Sequence, residues 1–164
     1  MTTRDFIART FNTTSTKERR CSSVFADQDG NIYSYGYHYP LLFKVAGHTF
    51  INAMGYSSST GRHIDWAWQA VDYDATPVKL SRDDVRVISD PECSDATKLE
   101  TLAGTTARMV ARAQQACDAK TRKDTRVYEY LQSVLEGAER SHLTVRRLQR
   151  INWRYLNATS DDDL

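Results

Sequence analysis

The feature that most constrains the fold is a helical seam of small and apolar residues in the second half of the chain. Its positions, separated by alternating steps of four and three, are Leu99, Ala103, Thr106, Val110, Ala113 and Cys117. This spacing places all six side chains on one stripe of an α-helix. Because most of them are small, the seam predicts a long helix that a second helix approaches closely, with Gly104 as its weakest position.

Two further helices are predicted after the polar segment KTRKDT. The apolar stripe of the first consists of Val127, Leu131, Val134 and Ala138. Ser141 is the predicted N-cap of the second, whose apolar stripe consists of Leu148, Ile151 and Tyr155. Residues 94–164 are therefore predicted to form a helical bundle of about three helices with an acidic tail. We expect the seam to pack within the chain, which favours a monomer; a dimer through Ala103 and Val110 is the alternative.

The first half of the chain shows the signals of an antiparallel β-meander. Short runs rich in Val, Ile, Tyr and Phe alternate with turn residues, among them Asp29-Gly30. The predicted strands are CSSVFA, NIYSYGY, LLFKV and TFINAM. Within the second strand the residues Tyr33, Tyr35 and Tyr37 alternate with smaller ones, so the three tyrosines are expected on one face of the sheet.

A helix in the segment GYSSSTGRHIDWAWQAV is predicted to cover the apolar face of this meander. Its expected N-cap is one of residues 58–60, and its expected buried stripe is Ile64, Trp68 and Val71. The predicted fold class is therefore α+β. We divide the chain into residues 1–75 as a four-stranded meander plus helix, residues 76–93 as a linker with a short strand around 85–88, and residues 94–164 as the helical region.

The composition is typical of a small globular protein. At 164 residues the chain can bury one core of moderate size or two very small ones. Its apolar runs fall short of the roughly 20 residues that span a bilayer, and its first residues lack the apolar stretch of a secretory signal. The three cysteines (Cys21, Cys93 and Cys117) are widely spaced and form no C-x-x-C pair. We expect reduced thiols and a cytoplasmic location.

The sequence lacks the spacings of three common kinds of catalytic or metal site. Gly55 and Gly61 are six residues apart where a P-loop needs five, and no lysine follows. The serines at 57–59 lack the second glycine of G-x-S-x-G. The histidines, at positions 38, 48, 63 and 142, match no zinc-binding spacing. We therefore predict no catalytic residue, no metal and no cofactor, and a protein that is not an enzyme.

An arginine-rich stretch near the C-terminus is the main candidate binding segment, and no Asp or Glu lies between Glu139 and Asp161. The candidate residues are Arg146, Arg147, Arg150, Trp153 and Arg154, with Arg140 and Tyr155 beside them. Arginines interleaved with aromatic rings are typical of surfaces that follow a phosphate backbone and stack on bases. The alternatives are a solvated face that pairs with acids elsewhere in the bundle, and a surface that holds an acidic protein.

The start of the GYSSSTGRHIDWAWQAV helix is a second candidate. Its first-turn N–H groups, the hydroxyls of residues 57–60 and Arg62 are suited to holding one phosphate of a nucleic acid. Ordinary N-capping by the same hydroxyls is the alternative. We include Arg62 and His63 among the candidate binding residues, together with Tyr35 and Tyr37 of the tyrosine-rich strand.

Two short sequence words in the first half are distinctive. One is YSYGYHYPL, from Tyr33 to Leu41, and the other is GYSSSTGRH, from Gly55 to His63, with Phe50-Ile51-Asn52 between them. Together they resemble a family of small uncharacterised proteins encoded by phages and plasmids, with the pattern Y-S-Y-G-x-H-Y-P followed by N-x-x-x-Y-S-x-T-T-x-x-H. The resemblance covers about a third of the chain. Thr60-Gly61 stands in place of the paired threonines, so no role that needs the second hydroxyl is implied.

The resemblance implies an origin more than an activity. It suggests an accessory protein of a mobile element that acts in the cytoplasm of a host cell. Its leading functional hypothesis is a non-enzymatic, anti-defence inhibitor of the anti-CRISPR kind, whose partner is a host defence protein or ribonucleoprotein nuclease complex. The alternative hypothesis is a nucleic-acid-binding accessory or regulatory protein that uses the arginine-rich C-terminal helix.

Overall fold

The structure is a computed structural model that describes residues 1–55, 57–119 and 125–162, with side chains described up to residue 158. The α+β class is confirmed. The chain divides into two compact units, which we call the N-terminal unit (Met1–Cys93) and the C-terminal unit (Ser94–Leu164). Within the described residues, no helix is both long enough and apolar enough to cross a membrane.

The N-terminal unit contains six strands and three helices. In chain order they are α1 (Thr3–Thr10), β1 (Arg19–Cys21), β2 (Val24–Ala26), β3 (Ile32–Ser34), β4 (Pro40–Val45), β5 (His48–Asn52), α2 (Ser58–Ala70), β6 (Thr76–Val78) and α3 (Arg82–Ile88). The strands lie in the sheet in sequence order, with each neighbouring pair from β1 to β5 antiparallel. Helix α2 then carries the chain across the sheet, so that β6 pairs parallel to β5.

The predicted four-stranded antiparallel meander is present, but the sheet has six strands, and the additional strand β6 is parallel to its neighbour. The first predicted strand is divided into β1 and β2 by a tight turn in which Ser22 has φ of 58°. The sixth strand was not predicted because Pro77 interrupts its short sequence. A proline is tolerated there since β6 is an edge strand and its ladder needs no N–H on the outer side.

The core of the N-terminal unit lies between the sheet and the helices α1 and α2. Ile7 of α1 packs with Val24, Ile32, Leu42 and Ile51 of the sheet, and all five side chains are fully buried. Helix α1 was not predicted. Its N-cap is Thr2, whose hydroxyl accepts a hydrogen bond from the Asp5 N–H at 3.1 Å. Phe6 and Ile7, one turn later, supply its buried face.

The segment 76–93, predicted as a linker with a strand at 85–88, instead contains β6 and helix α3. The β-branched residues of RDDVRVI suggest a strand, but a capping box decides the outcome. The Ser81 hydroxyl accepts from the Asp84 N–H at 3.2 Å, and the Asp84 carboxylate accepts from the Ser81 N–H at 2.9 Å. These two bonds satisfy N–H groups at the helix start, so α3 forms despite its sequence preference.

The C-terminal unit is a hairpin of two helices, α4 (Asp95–Ala119) and α5 (Thr125–Asp162). The prediction of about three helices is wrong because α5 continues through Ser141. That serine is not a cap; its side chain is buried in mid-helix. No Gly or Pro follows Gly137, so nothing in the sequence stops the helix there. The predicted break KTRKDT overlaps residues 120–124, which lie outside the described residues.

The predicted seam does pack within the chain. Ala113 and Cys117 of α4 form a buried cluster with Leu135 of α5. Further along the hairpin, Thr106 is hydrogen-bonded to Nδ1 of His142 at 2.8 Å. Moving seven residues back along α4 therefore corresponds to moving seven residues forward along α5, as two antiparallel helices require.

Candidate functional site

The tyrosine-rich strand does not place its three tyrosines on one face. Strand β3 ends at Ser34, and Tyr35 has φ of 67°, in the left-handed region. Tyr33 and Tyr37 pack edge to face at 4.9 Å between ring centroids, on the side of Phe25. The ring of Tyr35 instead lies 5.4 Å from that of His63. The expectation of a shared face is wrong because alternation holds only while the backbone stays extended.

His63 links helix α2 to the sheet. Its Nδ1 is hydrogen-bonded to the Ser34 hydroxyl at 2.6 Å, and its Nε2 lies 3.3 Å from the Ser23 hydroxyl. The ring is only 4% exposed and lies between the rings of Tyr35 and Trp66. Both ring nitrogens have partners within the chain, so His63 has no free nitrogen to offer to a ligand.

The buried stripe of α2 consists of Thr60, His63 and Ala67, not of the predicted Ile64, Trp68 and Val71. Those three are partly buried at the border of the core. The sequence misleads here because two of the three buried positions are a threonine and a histidine. Their polar groups are satisfied by the Ser57 cap, by Ser34 of β3 and by Ser23 of the β1–β2 turn.

Burial lowers the pKa of His63 below its ordinary value near 6.5, with a smaller contribution from the positive charge of Arg62. The folded protein therefore holds His63 neutral in a pH range where the unfolded chain already binds a proton. Stability that depends on neutral His63 is fully present above about pH 6.5 and is lost as the pH falls through the folded pKa.

We expect His63→Asn to reduce this pH dependence. Asparagine can still hydrogen-bond to Ser34 but does not titrate. Urea unfolding, followed by the fluorescence of Trp66 and Trp68, should show a smaller drop in stability between about pH 7.5 and about pH 5.5 than in the wild type. His38→Asn is the control for the loss of one histidine at an exposed position. Equal drops in all three proteins would contradict the assignment to His63.

The start of α2 is capped by Ser57, one residue before the predicted range. Its hydroxyl accepts a hydrogen bond from the Thr60 N–H at 3.2 Å. The side chain of Arg62 is exposed. Ordinary N-capping thus accounts for one of the hydroxyls considered for phosphate binding, and Arg62 does not line the cavity described next.

The two distinctive sequence words meet at one cavity of about 860 Å³, which we call the β3 cavity. Its floor is formed by buried side chains of β3, the β3–β4 connection and α2, namely Ser34, Tyr39 and Thr60. Tyr35, Tyr37 and His38 form its aromatic wall. The remaining lining comes from Ser57 and from α3, through Arg82, Val85, Arg86 and Ser89. None of these lining residues is an Asp or a Glu.

The contribution of α3 to this cavity was missed in the sequence. Arg82 and Arg86 are four residues apart, and so they lie on the same side of the helix. The available signal was the pattern Ser81-x-x-Asp84, a capping box that marks a helix start. The β-branched residues of the segment led to the prediction of a strand at 85–88. Arg82 lies outside that predicted strand, so the prediction did not bring the two arginines together.

The predicted arginine-rich stretch forms the solvent side of α5. Arg146, Arg150 and Arg154 recur every four residues, and Arg147 lies beside them; together these four define the arginine face. All four are exposed, and at 100° per residue they span an arc of about 100°. Ser141 and Val145, which are buried, point the opposite way, towards α4. The arginine face is therefore directed away from the helix that packs on α5.

The end of α5 extends beyond α4. Continuing the pairing of Thr106 with His142 places Asp95, the first residue of α4, opposite Trp153. The exposed apolar side chains of this end are Ile151, Trp153, Tyr155 and Leu156. Trp153 is 65% exposed and borders the arginine face, where it lines a shallow groove with Arg146, Gln149, Arg150 and Arg154. The predicted residues of this stretch are thus brought together on one surface.

The arginine face has no carboxylate partner among the described residues. The ion pairs seen in that part of the chain include Arg20 with Glu18 and Arg86 with Asp83, and neither pair involves the arginine face. Arg146 donates a hydrogen bond to the Gln149 side chain at 2.8 Å. The alternative in which acids elsewhere in the bundle neutralise the arginines is therefore not seen in the residues described.

The histidines do not cluster, and each of those described below has a different hydrogen-bond partner. His48 pairs with Thr76 through Nε2 at 2.7 Å, and His142 pairs with Thr106 in the other unit. Among the residues described, no group of three or more His, Cys, Asp and Glu side chains is arranged to hold a metal ion. Among the described residues, Cys21, Cys93 and Cys117 form no disulfide bond with one another.

Comparison of the chain with protein-family models, with curated proteins and with solved structures found no match. The resemblance to phage and plasmid proteins stays a prediction. The structure assembles two candidate binding surfaces: the β3 cavity in the N-terminal unit and the arginine face in the C-terminal unit.

Proposed function

We propose that the chain is a non-enzymatic nucleic-acid-binding protein that holds a single strand on the arginine face of α5. The observation that carries the proposal is four exposed arginines on one side of a helix, unopposed by carboxylates among the described residues and bordered by an exposed tryptophan. Such a surface offers what a nucleic acid needs: positive charge for its phosphates and a ring for its bases.

The spacing of the arginines suits an extended phosphate backbone. Arg146 and Arg154 are eight residues apart, which corresponds to about 12 Å along the helix axis. That length, together with the reach of the four arginine side chains, spans about three or four phosphates of a single strand. The exposed side chains at this end of α5 leave it accessible to a strand. A guanidinium can bind each phosphate through two N–H groups, which holds the strand without reading its sequence.

The aromatic border favours a single strand over a duplex. Trp153 and Tyr155 are both well exposed near the arginines. An unpaired base can stack on such a ring, whereas the bases of a duplex are already stacked on each other. We therefore expect tighter binding to a single-stranded oligonucleotide than to a duplex of the same length.

A salt titration tests this function. Fluorescence anisotropy with labelled single-stranded DNA, single-stranded RNA and duplex DNA, at about 50 to 200 mM salt, should give affinities that fall steeply as salt rises. With about four phosphates neutralised, the log–log slope for a single strand should be near −3. The absence of binding to all three probes at the lowest salt would contradict the proposal.

Replacing Trp153 by alanine should weaken binding of the single strand about tenfold, because stacking on one ring contributes about 1 to 3 kcal/mol per base. Trp153→Phe keeps a ring and should lose much less. The exposed position of Trp153 means that neither change should lower the melting temperature. If the alanine variant binds as tightly as the wild type, Trp153 is not a stacking platform.

The anti-defence hypothesis is a second proposal, which depends on the phage and plasmid resemblance. The arginine face is also complementary to an acidic surface on a host nuclease complex. Expression of the chain in a host with an active nuclease defence should then restore phage plating, and the arginine face should be required for it. A chain that neither binds nucleic acid nor restores plating would contradict both proposals.

A further inference from the structure

We propose that the β3 cavity is a binding site for a nucleotide-like ligand, one that carries a planar ring and a phosphate. This site lies in the N-terminal unit and is formed by residues that the nucleic-acid proposal does not use. The two inferences are therefore independent, and either can fail alone.

The cavity has the size and construction of a ligand site. Its volume of about 860 Å³ falls within the range of about 300 to 1,000 Å³ that is typical of small-molecule pockets. Three chain segments that are distant in sequence converge on it: the β3–β4 connection, the start of α2 and helix α3. Its floor is rigid, because Ser34, Tyr39 and Thr60 are each no more than 4% exposed.

Hydrogen bonds hold this floor in place. The Ser34 hydroxyl is bonded to His63, and the Tyr39 hydroxyl donates to the backbone carbonyls of Asn52 and Met54. Thr60 is held by the Ser57 cap. The polar groups of the floor thus already have hydrogen-bond partners within the protein. The choice of ligand therefore depends on the side chains of the wall and the rim.

The rim of the cavity is suited to an anion. Arg82 and Arg86 lie one turn apart on α3, and the lining contains no carboxylate. Two acids lie close to lining residues. Asp83 is 3.9 Å from Arg86, but both side chains are strongly exposed, so this pair is weak; Glu18 accepts a hydrogen bond from the Tyr37 hydroxyl. The Ser57 and Ser89 hydroxyls lie in the same lining and add neutral hydrogen-bonding groups. A phosphate at this rim can accept from two guanidinium groups and from these hydroxyls.

The wall of the cavity is suited to a planar ring. Tyr35 and Tyr37 are each about half exposed, although both lie in a unit with a well-buried core. Tyr35 is held by its N–H, which donates to the Ser23 carbonyl at 2.6 Å, and by its ring contact with His63. Tyr37 is held by its hydroxyl, which donates to Glu18 at 2.9 Å. Two fixed rings beside His38 provide surfaces on which a base can stack.

Ring and phosphate together define the ligand class. A free inorganic anion would leave the aromatic wall unused, and an uncharged aromatic molecule would leave the arginines unused. A nucleoside monophosphate uses both. The same chemistry is present in a free mononucleotide and in the 5′-phosphorylated end of a strand, and the experiment separates these two sources.

Isothermal titration calorimetry of the full chain tests the site with four probes: adenosine monophosphate, adenosine, inorganic phosphate and a 5′-phosphorylated trinucleotide. We expect the monophosphate to bind at least about tenfold more tightly than adenosine or phosphate alone, since only it meets both the wall and the rim. A trinucleotide that binds more tightly than the monophosphate indicates a strand end, and one that binds equally or more weakly indicates a free nucleotide.

Two variants and one control locate the binding. Arg82→Ala with Arg86→Ala should reduce the affinity for the monophosphate to that for adenosine. Tyr35→Gly should weaken both ligands about tenfold by removing the ring, while glycine accepts the positive φ at this position without strain. Arg62→Ala, outside the cavity lining, is the control and should bind like the wild type.

Melting curves establish that each variant is folded before its affinity is interpreted. The proposal is overturned if the folded wild type binds none of the four probes at millimolar concentration. It is also overturned if binding is unchanged both in the double arginine variant and in Tyr35→Gly. Substitutions confined to the arginine face of α5 should leave binding of the monophosphate unchanged.

Discussion

Replacing Arg147, Arg150 and Arg154 together by alanine is expected to weaken binding of a single-stranded oligonucleotide about 100-fold. Each charge-assisted contact with a phosphate contributes about 1 kcal/mol or more, so the loss of three amounts to about 3 kcal/mol. The log–log salt slope should become shallower by about 2 units, since fewer counterions are released. Both quantities come from the same anisotropy titrations, repeated at several salt concentrations.

A matched variant separates the arginine face from total charge. Arg9, Arg112 and Arg126 are exposed and lie outside that face, and their joint replacement by alanine removes the same net charge. The control variant should lose only a small part of the affinity. Equal losses in both variants would show that overall charge, and not the arginine face, determines binding. Alanine is a strong helix former, so circular dichroism should show that α5 persists in both.

Asn52→Ala is expected to destabilise the N-terminal unit by about 3 kcal/mol. The side-chain oxygen of Asn52 accepts from the Met54 N–H at 3.2 Å and from the Leu80 N–H at 3.3 Å. Asn52 is 1% exposed, so alanine leaves these N–H groups without their acceptor at a site that water reaches poorly. Each unsatisfied group costs about 1 to 3 kcal/mol. Urea unfolding followed by Trp66 and Trp68 fluorescence measures the loss.

The matched control for this change is Asn52→Asp. It keeps an oxygen acceptor for both N–H groups at the same position, although it removes the amide donor and buries a charge. Its loss of stability should be restored in part on acidification, when the carboxyl becomes protonated, whereas the loss in Asn52→Ala should not respond in this way. A loss below about 1 kcal/mol in the alanine variant would mean that the two N–H groups find other acceptors.

The same contacts explain why a polar residue lies at the end of a buried strand. Asn52 joins the ends of β5 and β6, because Met54 lies two residues after β5 and Leu80 lies two residues after β6. Asn52 belongs to one of the segments on which the predicted resemblance to phage and plasmid proteins is based. Its geometry gives a structural reason for an asparagine there, one that requires no ligand.

Much of the secondary structure followed from local sequence signals. The helical seam on α4 was predictable because residues separated by alternating steps of four and three share one face in an α-helix but not in a β-strand. The strands β2 to β5 were recognisable from β-branched and aromatic runs separated by turns. Strand β6 and helix α3 were not, since Pro77 argues against a strand and the β-branched residues of α3 argue for one. In both places tertiary contacts and a capping box outweighed propensity.

Of the two candidate sites, one could be predicted from local sequence and the other could not. The arginine face depends only on helical periodicity, so the sequence located it correctly as a cluster, although Ser141 led to the wrong helix start. The β3 cavity depends on which segments the sheet brings together. No local pattern reveals that His63 is buried against Ser34, 29 residues earlier in the chain, or that α3 supplies two arginines to the same cavity.

Tyr35 combines a strained backbone conformation with a half-exposed aromatic ring. With φ of 67°, its backbone conformation is one that glycine or asparagine adopts more easily than any aromatic residue. Replacing Tyr35 by glycine should therefore relieve backbone strain while it removes the ring. The proposed role of that ring in the β3 cavity offers a reason for a tyrosine at this strained position, since strained backbone often occurs where a side chain binds a ligand.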